Sequence, residues 1–157
     1  MKKSILTIAI FLGALSLMLT SCVKDILPDG DDWGGTYELI IDGEVVKSGS
    51  TEQVGLLGNL ASVSEGDDFG LFVANVPGTK GGVTQIDDSD EGGLVTITGR
   101  DLLKDDGSDE LYLSMSGSVK RATSTKITFE GTITSLDDVT SHTFSGTLES
   151  NAFKLIL

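Results

Sequence analysis

The feature that most constrains this chain is a strict two-residue alternation in its final third. In residues 127–133, and again in residues 144–148, apolar residues or glycine occupy every second position, and Thr, Ser or Glu fill the positions between. Successive side chains of a β-strand point to opposite faces, so this pattern puts one face on a core and the other in water. It therefore predicts antiparallel strands with one solvated face.

The two alternating segments share the motif T-F-x-G-T, which begins at Thr128 and again at Thr143. The repeat predicts two adjacent antiparallel strands joined by residues 135–141. We expect its glycines, Gly131 and Gly146, either to relieve crowding beside the phenylalanines or to mark a bulge where the sheet curls.

The clearest hairpin spans residues 36–48 and turns at Asp42-Gly43, because both positions tolerate positive φ. The cross-strand pairs that follow from a two-residue turn are Ile40 with Val45, Leu39 with Val46, Glu38 with Lys47 and Tyr37 with Ser48. Residues 51–64 fit either a short helix or an irregular strand, although Gly55 and Gly58 disfavour a stable helix.

Further strands are predicted between the hairpin and the repeat. Residues 69–76 have apolar residues at both odd and even positions, which is typical of a strand buried on both faces. Residues 111–119 alternate, with Leu111, Leu113, Met115, Gly117 and Val119 predicted to face inward and Tyr112 outward. Short strands at 83–86 and 94–98 and a final inward set (Phe153, Leu155, Leu157) complete the pattern.

Composition agrees with this assignment, since the chain has 20 glycines and two prolines among 157 residues and suits short strands joined by turns. We therefore predict one antiparallel all-β domain over residues 36–157, a sandwich or flattened barrel of about eight or nine short strands. Residues 22–35, rich in Asp and Gly, are predicted to be a flexible acidic tether.

The first 22 residues have the organisation of an export signal. Lys2 and Lys3 precede an apolar run over residues 5–19, which is shorter than the roughly 20 residues that span a bilayer. The run ends in Leu19-Thr20-Ser21-Cys22, which resembles the lipobox of bacterial lipoproteins. The resemblance implies cleavage after residue 21 and attachment of a diacylglyceryl group, with further acylation, to Cys22.

Lipidation also explains why the chain has a single cysteine, because an exported thiol has no disulfide partner here. The alternative is an incidental cysteine beside an ordinary secretory cleavage site. Val23 stands where some lipoproteins carry an inner-membrane retention aspartate, so the resemblance implies an outer-membrane location, on the periplasmic face or the cell surface. The domain is also generally similar to small β-rich lipoproteins of the Bacteroidetes.

The formal net charge of −13 argues against nucleic acid as a partner, because a phosphate backbone would be repelled. The membrane, reached through the lipid, and an envelope protein or glycan are the predicted partners.

Aromatic side chains that stack on sugars are the usual mark of a glycan site. The candidates for such ligand contact are Trp33, Tyr37 and Tyr112, although Trp33 also fits a plug at the edge of the core.

Few residues indicate catalysis, and we predict that the protein is not an enzyme. The alternation of its strand predicts that the His142 side chain faces inward. This position fits a structural role better than that of a general base or a metal ligand. The acidic clusters of the loops fit solvated turns. Asp87, Ser89 and Glu91 begin like a calcium loop, but its twelfth position is Thr98 where a bidentate Glu is required. No metal and no cofactor other than the lipid on Cys22 is predicted.

Three functions are compatible with these features. The first is a lipid-anchored cell-envelope binding or accessory module for a glycan, a peptide or an envelope protein. The second is a lipocalin-like carrier of a small apolar ligand, with the apolar faces of residues 69–76 and 111–119 lining a cavity. The third is a small hydrolase that uses loop carboxylates.

Overall fold

A computed structural model describes residues 34–51, 54–66, 68–136 and 140–156. Residues 22–33 of the predicted tether, including Cys22 and Trp33, lie outside the described residues, and Gly35, predicted as the last tether residue, begins the first strand instead. The described residues form ten strands: β1 (Gly35–Ile41), β2 (Glu44–Thr51), β3 (Val54–Leu57), β4 (Leu60–Glu65), β5 (Phe69–Ala74), β6 (Val83–Ile86), β7 (Leu94–Arg100), β8 (Asp109–Arg121), β9 (Lys126–Ser135) and β10 (Ser141–Ser150). A short 3₁₀ helix, Asn151–Leu155, follows β10.

All ten strands belong to one antiparallel sheet. Nine follow the order β2-β1-β10-β9-β8-β7-β5-β4-β3, and β6 pairs with the last part of β8. The sheet is nearly closed and barrel-like. The prediction of an antiparallel all-β fold is therefore confirmed, and of the two architectures left open the barrel is the one observed.

The sheet closes where β2 approaches β4. The Thr51 hydroxyl donates to the Ser64 carbonyl oxygen at 3.1 Å, and Lys47 Nζ lies 3.7 Å from a Glu65 carboxylate oxygen. Strand β2 thus pairs with β1, and the next strand, β3, pairs with β4. This change of partner brings the two edges of the sheet together.

The core fills the interior of the barrel. Its largest fully buried side chains include Tyr112, Phe153, Leu39 and Ile41. The predicted final strand is wrong, because the Ser150 hydroxyl accepts the Ala152 amide at 3.2 Å and starts a 3₁₀ helix instead. That helix still delivers Phe153 into the core.

The repeated T-F-x-G-T motif forms the expected adjacent pair of strands, β9 and β10. Gly146 lies opposite Phe129, and a Cβ on Gly146 would lie only 2.5 Å from the tip of that ring. Gly131 lies opposite Gly117 at φ values of 153° and 129°, and a Cβ on either would overlap the other strand's backbone. One glycine relieves crowding and the other sits beside a bulge, so both expectations are confirmed.

Two predictions require correction: the register of β1 with β2, and the direction in which the side chains of β8 point. In both strands the cause is one extra residue in a bulge. In β2, Ile40 pairs with Val45 as predicted, but Leu39 pairs with Lys47 because Val46 is bulged and packs partly against the core. The predicted pairs of Leu39 with Val46, Glu38 with Lys47 and Tyr37 with Ser48 are therefore wrong by one residue.

In β8, the register with β9 shifts between Ser114 and Ser116, which leaves Met115 62% exposed. Because the bulge adds one residue, the residues of β8 that precede it point to the face opposite to the one predicted. Tyr112 is therefore buried, whereas Leu111 and Leu113 are only half-buried on the outer face, contrary to the predicted alternation. Val119, beyond the bulge, faces inward as predicted.

The structure also decides the predictions for residues 54–65 and for β5. Residues 54–65 form the hairpin β3–β4 with Gly58 at φ 60°, so the strand alternative was the correct one. β5 is buried on both faces as predicted, with Leu71 and Val73 in the core and Phe72 covered on the opposite side.

Candidate functional site

The candidate site is an open groove of about 910 Å³ on the outer face of the sheet. Its floor, the outward-facing residues of β8, β9, β10 and β1, carries Ser118, Glu130, Ser145 and Ile40. We call this feature the outer groove. A second open cavity, of about 800 Å³, lies beside Gly34 at the start of β1 and is lined mostly by Ser, Thr and Gly.

The register of the strands places the floor residues in one continuous row. Cross-strand partners on one face of an antiparallel pair lie about 5 Å apart at their Cβ atoms. The row runs Gln85 (β6), Ser118 (β8), Glu130 (β9), Ser145 (β10), Ile40 (β1) and Val45 (β2). The row therefore crosses six strands, and five of them, β6, β8, β9, β10 and β1, contribute residues to the lining of the groove.

The glycine pair shapes the floor of the outer groove. Gly117 and Gly131 both line it, and neither has a side chain to fill the space above the crossing of β8 and β9. Phe144 and Ile86 contribute to the lining from the core side. The walls carry Asp87, at the start of the β6–β7 loop, and Gly43, in the β1–β2 turn.

The ionisable side chains that line the outer groove are Asp87 and Glu130, and both are acidic. Asp87 accepts hydrogen bonds from the Ser89 hydroxyl and amide, and these bonds hold the pKa of Asp87 below its ordinary value. Glu130 is exposed and makes no side-chain hydrogen bond or ion pair within the described residues. The groove thus presents one unengaged carboxylate between two serine hydroxyls.

The predicted aromatic contacts are not brought together at the surface. Tyr37 is 3% exposed and stacks on Phe69 with ring centroids 5.1 Å apart, while Tyr112 is 1% exposed. A buried ring cannot stack on a sugar at the surface, so the structure does not support either tyrosine as a ligand contact. Trp33, the third candidate, lies outside the described residues, as does the lipidation site Cys22.

The calcium candidates form a turn. The Asp87 carboxylate bonds to Ser89, and Glu91 is exposed. Within the described ranges, no group of three or more His, Cys, Asp or Glu side chains is placed to hold a metal ion.

His142 joins the β1–β2 turn to the start of β10. Its Nδ1 lies 2.7 Å from Asp42 Oδ2, its Nε2 lies 3.2 Å from the Thr140 hydroxyl, and its ring packs edge-on against Tyr112. Asp42 also accepts from the Thr143 amide, and the contacts with His142 and Thr143 hold the pKa of Asp42 below its ordinary value. His142 is not among the residues that line the outer groove.

The acids of the β7–β8 loop act as backbone acceptors. Asp101 accepts from the Gly107 amide, and Asp106 accepts from Ser108, whose bonds lower the pKa of Asp106. Glu110, at the base of the loop, bonds to the amides of Leu103 and Lys104. These carboxylates stabilise turns, which is the role that the sequence favoured over catalysis.

The outer groove was not predicted from the sequence. Its residues come from five strands and two turns, and the glycines paired across β8 and β9 leave space in its floor. The one available signal was the glycine of the T-F-x-G-T repeat, because it marked a place where the sheet departs from regular geometry.

Comparisons with protein-family models, with curated proteins and with solved structures found no match for this chain. Within the described residues, no helix is long and apolar enough to cross a membrane.

Proposed function

We propose that this chain is a lipid-anchored cell-envelope module that binds a partner in the outer groove. The observation that carries the binding function is the row from Gln85 to Val45, where serine hydroxyls and an unengaged carboxylate face solvent in a groove. Concave surfaces with a few convergent polar groups are the usual form of binding sites.

The anchoring part of the proposal is supported by the lipobox resemblance at Cys22 and the absence of any second cysteine. Each buried methylene contributes about 0.8 kcal/mol, so two or three acyl chains hold a protein on a membrane stably. Residues 22–35 would separate the domain from the bilayer. An outer-membrane location follows from Val23 next to the cysteine.

The packing of the interior supports surface binding over the carrier alternative. A lipocalin-like carrier needs an internal cavity, whereas here Phe153, Leu39, Ile97 and Leu148 are fully buried within the barrel. The apolar face of Leu111 and Leu113, which was expected to line such a cavity, points outward. The hydrolase alternative has less support still, because the carboxylates of the β7–β8 loop bond to its own backbone.

The anchor is tested by Cys22→Ala in the full-length protein, expressed in a bacterium with an outer membrane. We expect metabolic labelling with an alkyne palmitate to mark the wild type alone. The variant should move from the detergent-extracted membrane fraction to the soluble fraction. Labelling of the variant, or membrane retention equal to that of the wild type, would contradict lipidation at this residue.

The binding site is tested by filling the groove. Ser145→Trp puts a large ring into the floor, and Thr147→Trp puts the same ring on the same strand face outside the lining. We expect a partner cross-linked in intact envelopes and then purified with the wild type to be recovered with Thr147→Trp but not with Ser145→Trp. Equal recovery with both variants would show that the outer groove is not the binding site.

A further inference from the structure

We infer that the occupant of the outer groove is an extended peptide segment of a partner protein, with a basic side chain on Glu130 and an apolar side chain on Ile40 and Val45. The inference rests on the proposed binding function and specifies its ligand. It follows from the charge of the groove, from the apolar end of the residue row, and from the distance between these two features.

The negative charge of the outer groove favours a ligand with a basic side chain. Asp87 and Glu130 are the ionisable residues that line the outer groove, and Glu130 carries no ion pair within the described part of the chain. Lys120, two residues along β8 from Ser118, is exposed and forms no ion pair with Glu130. A net charge of −13 adds a field that attracts cations to the whole domain. A Lys or Arg side chain is therefore the complement of this carboxylate.

The side chains of the row change from polar to apolar at its β1–β2 end. Ile40 is half-buried on the outer face, and its cross-strand partner Val45 is 57% exposed. Ile40 and Gly43 line the groove, and Val45 adjoins this lining as the cross-strand partner of Ile40, two residues after Gly43. Covering these side chains would remove apolar surface from water, which stabilises a complex by about 25 cal/mol per Å².

The separation of the two features gives the ligand its spacing. Glu130 is on β9, Ile40 is two strands away on β1, and Val45 is three strands away on β2. Neighbouring strands lie about 4.8 Å apart, so the carboxylate and the apolar pair are about 10 to 15 Å apart along the row. An extended peptide rises about 3.3 Å per residue and its side chains alternate between two faces, so a basic and an apolar side chain that both meet the floor should be four residues apart, or about 13 Å.

A peptide fits this lining better than a sugar. Sugar sites usually present an exposed aromatic face, and the one aromatic residue in the lining, Phe144, is 4% exposed. Ser118 and Ser145 flank Glu130 in the row and can donate to, or accept from, a peptide backbone. The floor thus provides charge, apolar contact and backbone hydrogen bonding, but no stacking surface.

The experiment is a selection from a displayed library of random nine-residue peptides on the purified full-length protein. Ser145→Trp protein serves as the counter-selection, so that peptides that bind elsewhere are removed. We expect the enriched sequences to contain Lys or Arg four residues from Leu, Ile, Val or Phe. Enrichment of acidic or uncharged sequences, or no enrichment at all, would overturn the inference.

An enriched peptide is then measured by fluorescence anisotropy on three variants. Glu130→Gln should weaken binding by about tenfold, as expected for a lost charge-assisted hydrogen bond. Val45→Ser should weaken it severalfold. Glu38→Gln, a matched loss of an exposed acid on the same face but outside the lining, should leave affinity unchanged. Equal affinity for wild type and Glu130→Gln would contradict the assigned basic contact.

The two proposals fail in different ways. If Ser145→Trp abolishes recovery of the partner but no basic peptide is selected, the groove binds something of another class and only the ligand assignment is wrong. If Ser145→Trp has no effect on recovery and no peptide is selected, both proposals are wrong.

Discussion

At the scale of single residues, Glu110 shows how this acidic protein uses a buried carboxylate. The side chain is 3% exposed, and one of its oxygens accepts from the backbone amides of Leu103 at 3.0 Å and Lys104 at 3.1 Å. The Tyr112 hydroxyl donates to the other oxygen. Burial alone would raise the pKa of Glu110, but these hydrogen bonds outweigh it and hold the pKa below its ordinary value.

We expect Glu110→Gln to lower the free energy of unfolding by about 1 to 3 kcal/mol at pH 7, because charge-assisted bonds in a buried site become neutral ones. A folded pKa below the unfolded value of about 4.3 stabilises the protein above that pH, and the stabilisation disappears as pH falls through the folded pKa. The difference between wild type and variant should therefore shrink in acid.

Urea unfolding at a series of pH values from neutral to about pH 3 measures this dependence. Glu91→Gln, at an exposed position in another loop, is the control and should show little difference at any pH. A constant difference between wild type and Glu110→Gln across the series would show that ionisation of Glu110 does not stabilise the fold.

At the scale of elements, the β9–β10 pair depends on the exchange of a glycine and a phenylalanine between strands. Phe129 faces Gly146 and its ring lies over that glycine, while Phe144 faces Gly131. The two rings stack with centroids 5.8 Å apart. The repeated motif therefore codes for a packing unit and not merely for two similar strands.

We expect Gly146→Ala to cost about 1 to 3 kcal/mol, because its Cβ would lie 2.5 Å from the Phe129 ring and from the Glu38 carbonyl oxygen. Gly49→Ala, whose nearest neighbours are side-chain atoms at 3.1 Å and 3.2 Å, should cost less. Both are measured by urea unfolding.

Phe129→Leu removes the ring that Gly146 accommodates, so it tests the cause of the clash. If the ring is responsible, Gly146→Ala should be less costly in the Phe129→Leu background than in the wild type. Strict additivity of the two substitutions would instead assign the cost to the strand backbone.

At the scale of the whole molecule, Arg121 connects three distant parts of the chain. Its guanidinium donates to the carbonyl oxygens of Gly78, Phe153 and Ile156, the last two at 2.8 Å. The side chain is 5% exposed. The end of β8 is thereby joined to the β5–β6 loop and to the C-terminal segment that buries Phe153.

We expect Arg121→Ala to lower the free energy of unfolding by about 2 to 4 kcal/mol, because the carbonyl oxygens of Phe153 and Ile156, in buried bonds, and that of Gly78, in a partly buried one, lose a charged donor. Lys120→Ala, the exposed neighbour on the same strand, is the control and should change it by less than about 0.5 kcal/mol. Hydrogen exchange should report faster exchange of the Ile156 amide in Arg121→Ala alone. An unchanged exchange rate would contradict the role of Arg121 in holding the C-terminal segment.

Local patterns predicted those strands whose burial is set by their own alternation. β9 and β10 bury Ile127, Phe129, Ile133, Phe144 and Leu148 as expected, because a period of two specifies which face of a regular strand meets the core. The Asp42-Gly43 turn was likewise predictable, since two adjacent residues tolerate its backbone angles. Both predictions need no information about neighbouring strands.

The sequence by itself therefore determined the all-β class, the β9–β10 pair and the anchor hypothesis at Cys22, because each depends on residues that are adjacent along the chain. Only the tertiary structure decided the bulges at Val46 and Met115, since a bulge is stabilised by the partner strand and the core beneath it. Those bulges set which side chains face inward, and with the glycine crossing they set where the outer groove lies. The groove depends on register across five strands, which local alternation does not encode.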